Sequence, residues 1–561
     1  MEPSGDKILK QDKNRVIRIH ANDNVAVALE NLNKGTTVII DGKSCILNEN
    51  INVKHKFTLY DINAGDSIVL YGIKVGQAVT DIPEGSSITT TNTINGTVEI
   101  QRNTPRSYKW EPPPVSAYRN RTFMGYYRTD GQVGTANYWI VIPMVFCENQ
   151  LLESIKEDIL TEFGYKKGSK YKKYIRNLIT KYKEESDGNN TMDDNPGGSL
   201  HPAGRRLFYN VSGIQFLTHD GGCGCTRRDA RELCSLLAGY ITHPNVAGAT
   251  VLSLGCQNAE LSLLHEEIKK RDPDFSKPYF EFDHQKTGVQ DEIIKQVIDS
   301  IFRGLIIANK AERKPAPLSK LCVGLECGGS DGFSGISANP AIGYVSDLIV
   351  ALGGTTILSE FPELSGIEQD LYDRCKLQAD GDKFLDLMIS YNNMAEYVGS
   401  GFYANPSPGN IRDGLITDAM KSAGAAKKGG SAPISGVLDY TEKAVNTGLN
   451  LLCTPGNDVE SVTAEVASGA NIVLFTTGMG TPTGNPIVPV IKISSNTPTF
   501  LKMPDIIDIN SGKIIDGEES IEQCGKRILN YMIDVAGGLK EPSAVQNGQT
   551  DFIPWRRGVS L

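Results

Sequence analysis

The chain has 561 residues, so more than one domain is expected, and its 57 glycines suit a loop-rich α/β enzyme. A net charge of −9 argues against a nucleic-acid surface. No apolar run is long enough to span a membrane, and the start Met1-Glu2-Pro3-Ser4 lacks the apolar stretch of a signal peptide. Eleven cysteines without a framework spacing point to a reducing, cytoplasmic compartment with thiols available for metal or catalysis.

Residues 1–14 are polar. From 15 to 100, short apolar runs (Val16–Ile19, Thr37–Ile40, Phe57–Leu59, Ile68–Tyr71, Gly96–Ile100) alternate with turn signals, which predicts a small all-β domain. Only Asn24–Asn31 reads as helical. His20 and His55 lie here beside polar residues and are either solvated or contacts to a metal or substrate. Residues 101–121, with Pro112-Pro113-Pro114, form a stiff linker. The turn Thr129-Asp130-Gly131 leads into an apolar strand from Tyr138 to Phe146, and Arg128 and Asn137 flank that turn as candidate carboxylate contacts. Residues 150–206 read as an insertion: an amphipathic helix from Leu151 to Phe163, a solvated Lys/Tyr-rich segment, then a polar loop.

A βα rhythm follows. The strand Ile214–Leu217 ends in Thr218-His219-Asp220-Gly221-Gly222-Cys223, and a helix runs from Asp229 to Tyr240. The strand Val251–Leu254 ends in Gly255-Cys256. The strand Leu321–Leu325 ends in Glu326-Cys327-Gly328-Gly329-Ser330-Asp331; Asn339-Pro340 then opens a helix, and Thr355–Leu358 is a further strand ending in Ser359-Glu360. Such βαβ units predict parallel strands with a ligand crevice at their carboxyl ends. Any one of Cys223, Cys256 and Cys327 reads as a buried structural thiol. Three of them just past strand ends, one soon after His219, also fit a shared metal or iron–sulfur site.

The last third keeps this style. Phe402–Asp413 is a Pro/Gly/Asn loop, and strands are expected over Val437–Tyr440, Leu449–Leu452, Ile472–Phe475 and Val488–Ile493, with strand ends at Cys453–Asp458 and Thr476–Pro482. No GxGxxG opens a helix and no Walker A loop is present, so neither dinucleotide nor ATP use is supported.

These residues resemble the altronate/galactarate dehydratase family over nearly the whole chain. The motifs that carry the resemblance are IRIHANDNVAVAL, the HK pair at 55–56, RTDGQVGTAN, H-x-x-GCG at 219–224, LGC at 254–256, ECGGSDGFSGISANP, NPSPGN at 405–410, PGND at 455–458 and TGMGTP at 477–482. The resemblance implies an α/β fold: a β-clip (SAF-like) domain over 15–100, then two Rossmann-like domains with mainly parallel sheets, over 122–395 and 396–561. It implies loss of water from a sugar acid, altronate before galactarate, with iron or manganese (Fe2+ or Mn2+) or an iron–sulfur cluster held by Cys223, Cys256 and Cys327. His219, Asp331 and Ser330 would be catalytic; Arg128, Asn137, Asn339, Asn410, Asp458, His20 and His55 would bind substrate. The expected partners are a small sugar acid and, optionally, further copies of the chain, with neither nucleic acid nor membrane. The sequence departs from the family pattern at Thr89-Thr90-Thr91-Asn92, Gln257, Ile411 and Met479. The competing readings are a sugar-acid-binding protein that kept the fold and a true hydrolase, for which no G-x-S-x-G elbow exists.

Overall fold

The computed structural model describes residues 15–96, 100–102, 108–166, 171–186 and 206–561. Three units follow one another. The first holds β1 (Val16–Ile17), β2 (Val25–Ala28), β3 (Thr37–Ile40), β4 (Lys43–Ile46), β5 (Lys56–Thr58), β6 (Ser67–Leu70), β7 (Ile73–Ala78) and β8 (Thr93–Ile94). All its pairings are antiparallel: β1-β2-β5, the hairpin β3-β4, and β6-β7-β8. The helix expected over Asn24–Asn31 is instead β2, the fully buried middle strand of its sheet. Its two valines fit a pleated surface packed on both sides better than a helix. The strand expected over 96–100, the polar start and the loop over 187–205 fall wholly or mostly outside the described residues.

A short antiparallel sheet of β9 (Thr122–Tyr127), β10 (Val133–Gly134) and β15 (Lys314–Pro317) joins the next two units. The second unit is a four-stranded parallel sheet in the order β12 (Gly213–Phe216), β11 (Tyr138–Pro143), β13 (Val246–Ser253), β14 (Tyr279–Asp283). The expected amphipathic helix is present over Asn149–Glu162, and the Lys/Tyr-rich segment holds a helix, Lys172–Ser186, exposed over 172–182.

The third unit is a seven-stranded parallel sheet. Its strands are β16 (Cys322–Cys327), β17 (Thr355–Leu358), β18 (Ile434–Leu438), β19 (Gly448–Leu452), β20 (Ile472–Thr477), β21 (Val490–Ser494) and β22 (Ile509–Asn510). They lie in the order β18-β19-β17-β16-β20-β21-β22. Because β16 and β17 belong to this sheet, the change of sheet falls between Asp283 and Cys322 rather than at 395, where the sequence placed a domain boundary. The chain builds outward from β16 in one direction and resumes beside it with β20, so a crevice opens at the carboxyl ends of β16 and β20.

One apolar core joins the two parallel sheets through helices Arg227–Thr242 and Asp458–Ala467, with Leu237, Val462, Val473 and Phe475 fully or nearly fully buried. Another joins the first unit to the third: Val75 and Tyr71 pack in the cluster that holds Phe361 and Met420. Among the described residues no helix is long and apolar enough to cross a membrane.

Candidate functional site

The carboxyl edge of the seven-stranded sheet gathers the densest set of buried ionisable groups. β16 ends in Glu326 and Cys327, both buried. β17 leads into Ser359 and Glu360, whose φ of +66° is left-handed. Holding a non-glycine residue there costs about 1–3 kcal/mol, and such strain concentrates at functional positions. Glu363 follows in a turn of 3-10 helix, Phe361–Leu364. The Cys327 thiol lies 3.2 Å from Glu363 Oε2 and 3.6 Å from Glu360 Oε2. The three side chains bring ligand atoms within 4.8 Å of one another, the one such group of His, Cys, Asp or Glu among the described residues.

Two buried lysines face this trio. Lys428 donates to Glu360 and stands 3.0 Å from Cys327 Sγ. Lys421 donates to Glu363 Oε1 and to Asn405 Oδ1, each at 2.6 Å. Burial opposes the charge on Lys428, but the surrounding Cys327, Glu360, Glu326 and Glu363 outweigh it and hold its pKa well above the ordinary lysine value. Beneath the trio, Glu326 accepts from Ser461 Oγ (2.7 Å) and Ser359 Oγ (3.2 Å), and Glu465 accepts from Ser359 Oγ (2.8 Å) and Leu325 N (3.1 Å). Burial raises Glu465 to about 8; burial and then the Glu363 charge raise Glu360 to about 7. Burial first, then the Glu360 charge, hold Glu326 well above the ordinary carboxylate range.

This donor set fits a divalent first-row metal. It offers one sulfur and two carboxylates, and Glu360 Oε1 is a buried oxygen without a hydrogen-bond partner. Carboxylates suit manganese and a thiolate favours iron. Lys428 would have to withdraw from Cys327 to admit the ion.

Asp331 is fully buried, on the wall of a small cavity that Ser330, Asn339 and Lys421 also line. Its carboxylate accepts from Ser495 Oγ (2.7 Å), Ser334 Oγ (2.9 Å), Asn496 Nδ2 (3.1 Å) and Phe333 N (3.2 Å), and pairs with Lys54 Nζ at 3.1 Å. With its lone pairs so fully engaged, it serves as an anchor in this geometry. Lys54 also pairs with Asp413 at 2.7 Å, and the buried Lys56 donates to Gly414 O at 2.6 Å. The β-clip unit thus contributes a Lys-His-Lys loop to this wall, with His55 Nε2 3.2 Å from Arg412 O. Asn410 donates to Ser330 O at 2.9 Å and closes a capping box with Ser407. Asp458 opens the helix Asp458–Ala467, and its carboxylate lies over Gly328, where a Cβ would come within 2.0 Å of it. Burial first, then the Glu363 charge, raises its pKa. Asn339 is spent on structure, donating to Gly424 O (3.0 Å) and accepting from Thr476 Oγ1 (2.7 Å).

The other expected residues lie elsewhere. Cys223 and Cys256 follow strands of the four-stranded sheet, so they do not join Cys327 in one ligand set; strand order, absent from any local pattern, separates them. His219 also follows that sheet. Its Nε2 is bonded to Pro143 O at 2.8 Å and its Nδ1 accepts from Gly221 N at 3.2 Å, a neutral imidazole tying two loops. Burial lowers its pKa to about 4. Arg128 and Asn137 touch each other at 2.9 Å, but Asn137 precedes β11, on the amino side of its sheet. Arg128 also donates to Pro244 O and Ala136 O, and Asn137 to Asn210 O and Ala308 O, which consolidates that end of the fold. His20 is exposed in the β-clip unit beside Gly72.

Sequence reasoning missed Glu363, Lys421 and Lys428. A signal existed for the lysines: Lys-Ser-Ala-Gly-Ala-Ala-Lys-Lys places cations two helical turns apart among small residues that cover little surface.

Three family profiles match the chain in series: the altronate/galactarate dehydratase SAF domain over residues 14–95, the D-galactarate dehydratase/altronate hydrolase second domain over 125–309, and the D-galactarate/altronate dehydratase C-terminal domain over 318–560. The chain is 34% identical to an altronate dehydratase of Bacillus subtilis (strain 168), covering 97% of this chain and 99% of that protein. It is 32% identical to an altronate dehydratase of Escherichia coli (strain K12), again over 97% and 99%. A galactarate dehydratase (L-threo-forming) of the same strain is 31% identical over 95% of this chain and 94% of its own. With a strand-rich SAF unit, a large parallel sheet and end-to-end similarity of this extent, the chain belongs to the D-galactarate/altronate dehydratase family.

Proposed function

We propose that this protein is a hydro-lyase that removes water from a sugar acid, with D-altronate as substrate and 2-dehydro-3-deoxy-D-gluconate as product. The altronate dehydratases above support the substrate, and the Cys327–Glu360–Glu363 trio beside two buried ammonium groups carries the assignment of the site. The reaction needs a proton taken from the carbon next to the carboxylate and a proton given to the departing hydroxyl. When bound, Fe2+ or Mn2+ on Cys327, Glu360 and Glu363 supplies Lewis-acid stabilisation of the negative charge that develops on the substrate.

The chain's own groups do the rest. Asp458, whose pKa burial and then the Glu363 charge raise, is the base. Lys421 binds the substrate carboxylate, and Lys428, held charged by the anions around it, stabilises the departing hydroxyl. Asp331 fixes Lys54 and the Ser330 turn in place. Ser330, Asn410 and His55 sit on the wall that contacts the sugar hydroxyls. The order β19-β17-β16-β20-β21-β22 supports a Rossmann-like reading of the larger sheet, with the site at its switch point.

The test is to load the anaerobic protein with Fe2+ or Mn2+ and assay 2-keto acid from D-altronate, D-galactarate and related acids. Product from altronate that Glu363→Gln abolishes is the expected result. No keto product from any acid with either metal would overturn the reading in favour of a binding protein.

A further inference from the structure

The four-stranded sheet presents three loops side by side at its carboxyl edge. β11 runs on to Phe146–Glu148, β12 to the loop that holds Cys223, and β13 to Gly255–Asn258. Backbone hydrogen bonds tie them together, from Phe146 N to Gly221 O and from Ala259 N to Gly222 O, both at 3.1 Å. The approach is close: a Cβ on Gly222, at φ +96°, would lie 2.2 Å from Met144 O. Each loop carries one exposed cysteine, namely Cys147, Cys223 and Cys256; the loop after β12 also holds the buried Cys225.

Of the eleven cysteines in the chain, these three alone are exposed. A free thiol ordinarily packs inside like a small apolar side chain. Three exposed thiols on neighbouring strand ends of one sheet are therefore not packing residues. Cys147 lies within electrostatic reach of both Cys223 and Cys256, and Gln285 Nε2 donates to Cys256 Sγ at 3.3 Å.

Spacing selects the ligand class. A single tetrahedral ion with metal–sulfur bonds of about 2.3 Å holds its thiolates about 4 Å apart. These three sulfurs do not gather within 4.8 Å, whereas the Cys327 trio does. A ligand that reaches all three as they stand must have a body of its own. We infer that Cys147, Cys223 and Cys256 bind an iron–sulfur cluster of the [4Fe–4S] type, three irons each taking one thiolate and the fourth remaining open to an oxygen ligand. On binding, each thiol loses its proton to solvent and forms one iron–sulfur bond, and no electron is transferred. The inference does not rest on the dehydration site, because Cys327 belongs to the other sheet.

The experiment uses the full chain purified anaerobically, then reconstituted with a ferric salt, dithiothreitol and sulfide. Iron and acid-labile sulfide are counted and visible absorption is recorded. About four irons and four sulfides per chain are expected. Cys147→Ser, Cys223→Ser and Cys256→Ser should each remove the sulfide and the visible band, while Cys327→Ser keeps both. Mapping iodoacetamide labelling on the unmutated chain gives a second readout: all three thiols are shielded together and react once the iron is chelated. Full sulfide content in Cys147→Ser, zinc without sulfide in the unmutated chain, or labelling unchanged by chelation would each overturn the inference.

Discussion

Replacing Lys428 by methionine removes the cation nearest to Cys327 and Glu360 while keeping most of the side-chain volume. Lys428 and Glu360 are each about 1% exposed, so the substitution leaves a buried carboxylate, and the anions around it, without their counter-ion. Removing one partner of a buried ion pair costs about 3–5 kcal/mol. In a unit the size of residues 318–560, each kcal/mol shifts the melting temperature by about 2–4 °C, so a fall of about 6–20 °C is expected without metal. A divalent ion on the trio would supply the missing charge. At a hundred times its dissociation constant it adds about 2.7 kcal/mol. Differential scanning fluorimetry with and without Mn2+ under nitrogen should therefore show a larger metal-induced shift in Lys428→Met than in the unmutated chain. Melting within 2 °C of the unmutated protein, with no metal response in either, would refute both the counter-ion argument and the metal assignment.

Gly328→Ala should fold but lose activity, because its Cβ would sit 2.0 Å from Asp458 Oδ2 and push that carboxylate aside; keto-acid assay with circular dichroism separates the two effects. Asp458→Asn should lower kcat by about 10²–10⁴. Because burial and the Glu363 charge raise Asp458, the acid limb of the unmutated protein's rate profile should lie above the ordinary carboxylate range and vanish in the variant. His219 and His243 are held neutral, with pKa values lowered by burial to about 4 and about 3. Below about pH 6.5 the unfolded chain takes up these protons first, so stability falls with pH by about 1.4 kcal/mol per unit for each histidine. Urea unfolding between pH 6.5 and 5 should show that slope, and His243→Gln should remove one histidine's share; equal slopes in the two proteins would sink the argument.

The parallel strands were legible because strands covered on both faces read as unbroken apolar runs, as in Val323-Gly324-Leu325 or Thr356-Ile357-Leu358. Their polar ends were legible for the same reason: Cys327, Glu360 and Asp458 stand where the apolar run or its turn stops. Which strand ends meet was not legible, since the order of strands is settled by long-range packing. That is why the spacing groups Cys223 and Cys256 with Cys327, whereas the strand order β12-β11-β13 sets their strands beside the one that leads to Cys147. Arg128 and Asn137 were misplaced for a simpler reason, because residues that precede a parallel strand lie at the edge opposite the crevice. At Val25–Ala28 four residues were too few for periodicity to separate strand from helix.

The grip of the Lys54–Lys56 loop on Asp331, Asp413 and Gly414 ties the small N-terminal module to the loops of the proposed site. If that site is the catalytic one, a protein cut in the 101–121 linker into two polypeptides would have to reassemble before it turned over. Turnover by such a pair would rise more steeply than in proportion to dilutable protein concentration, whereas the uncut chain keeps its wall at any dilution.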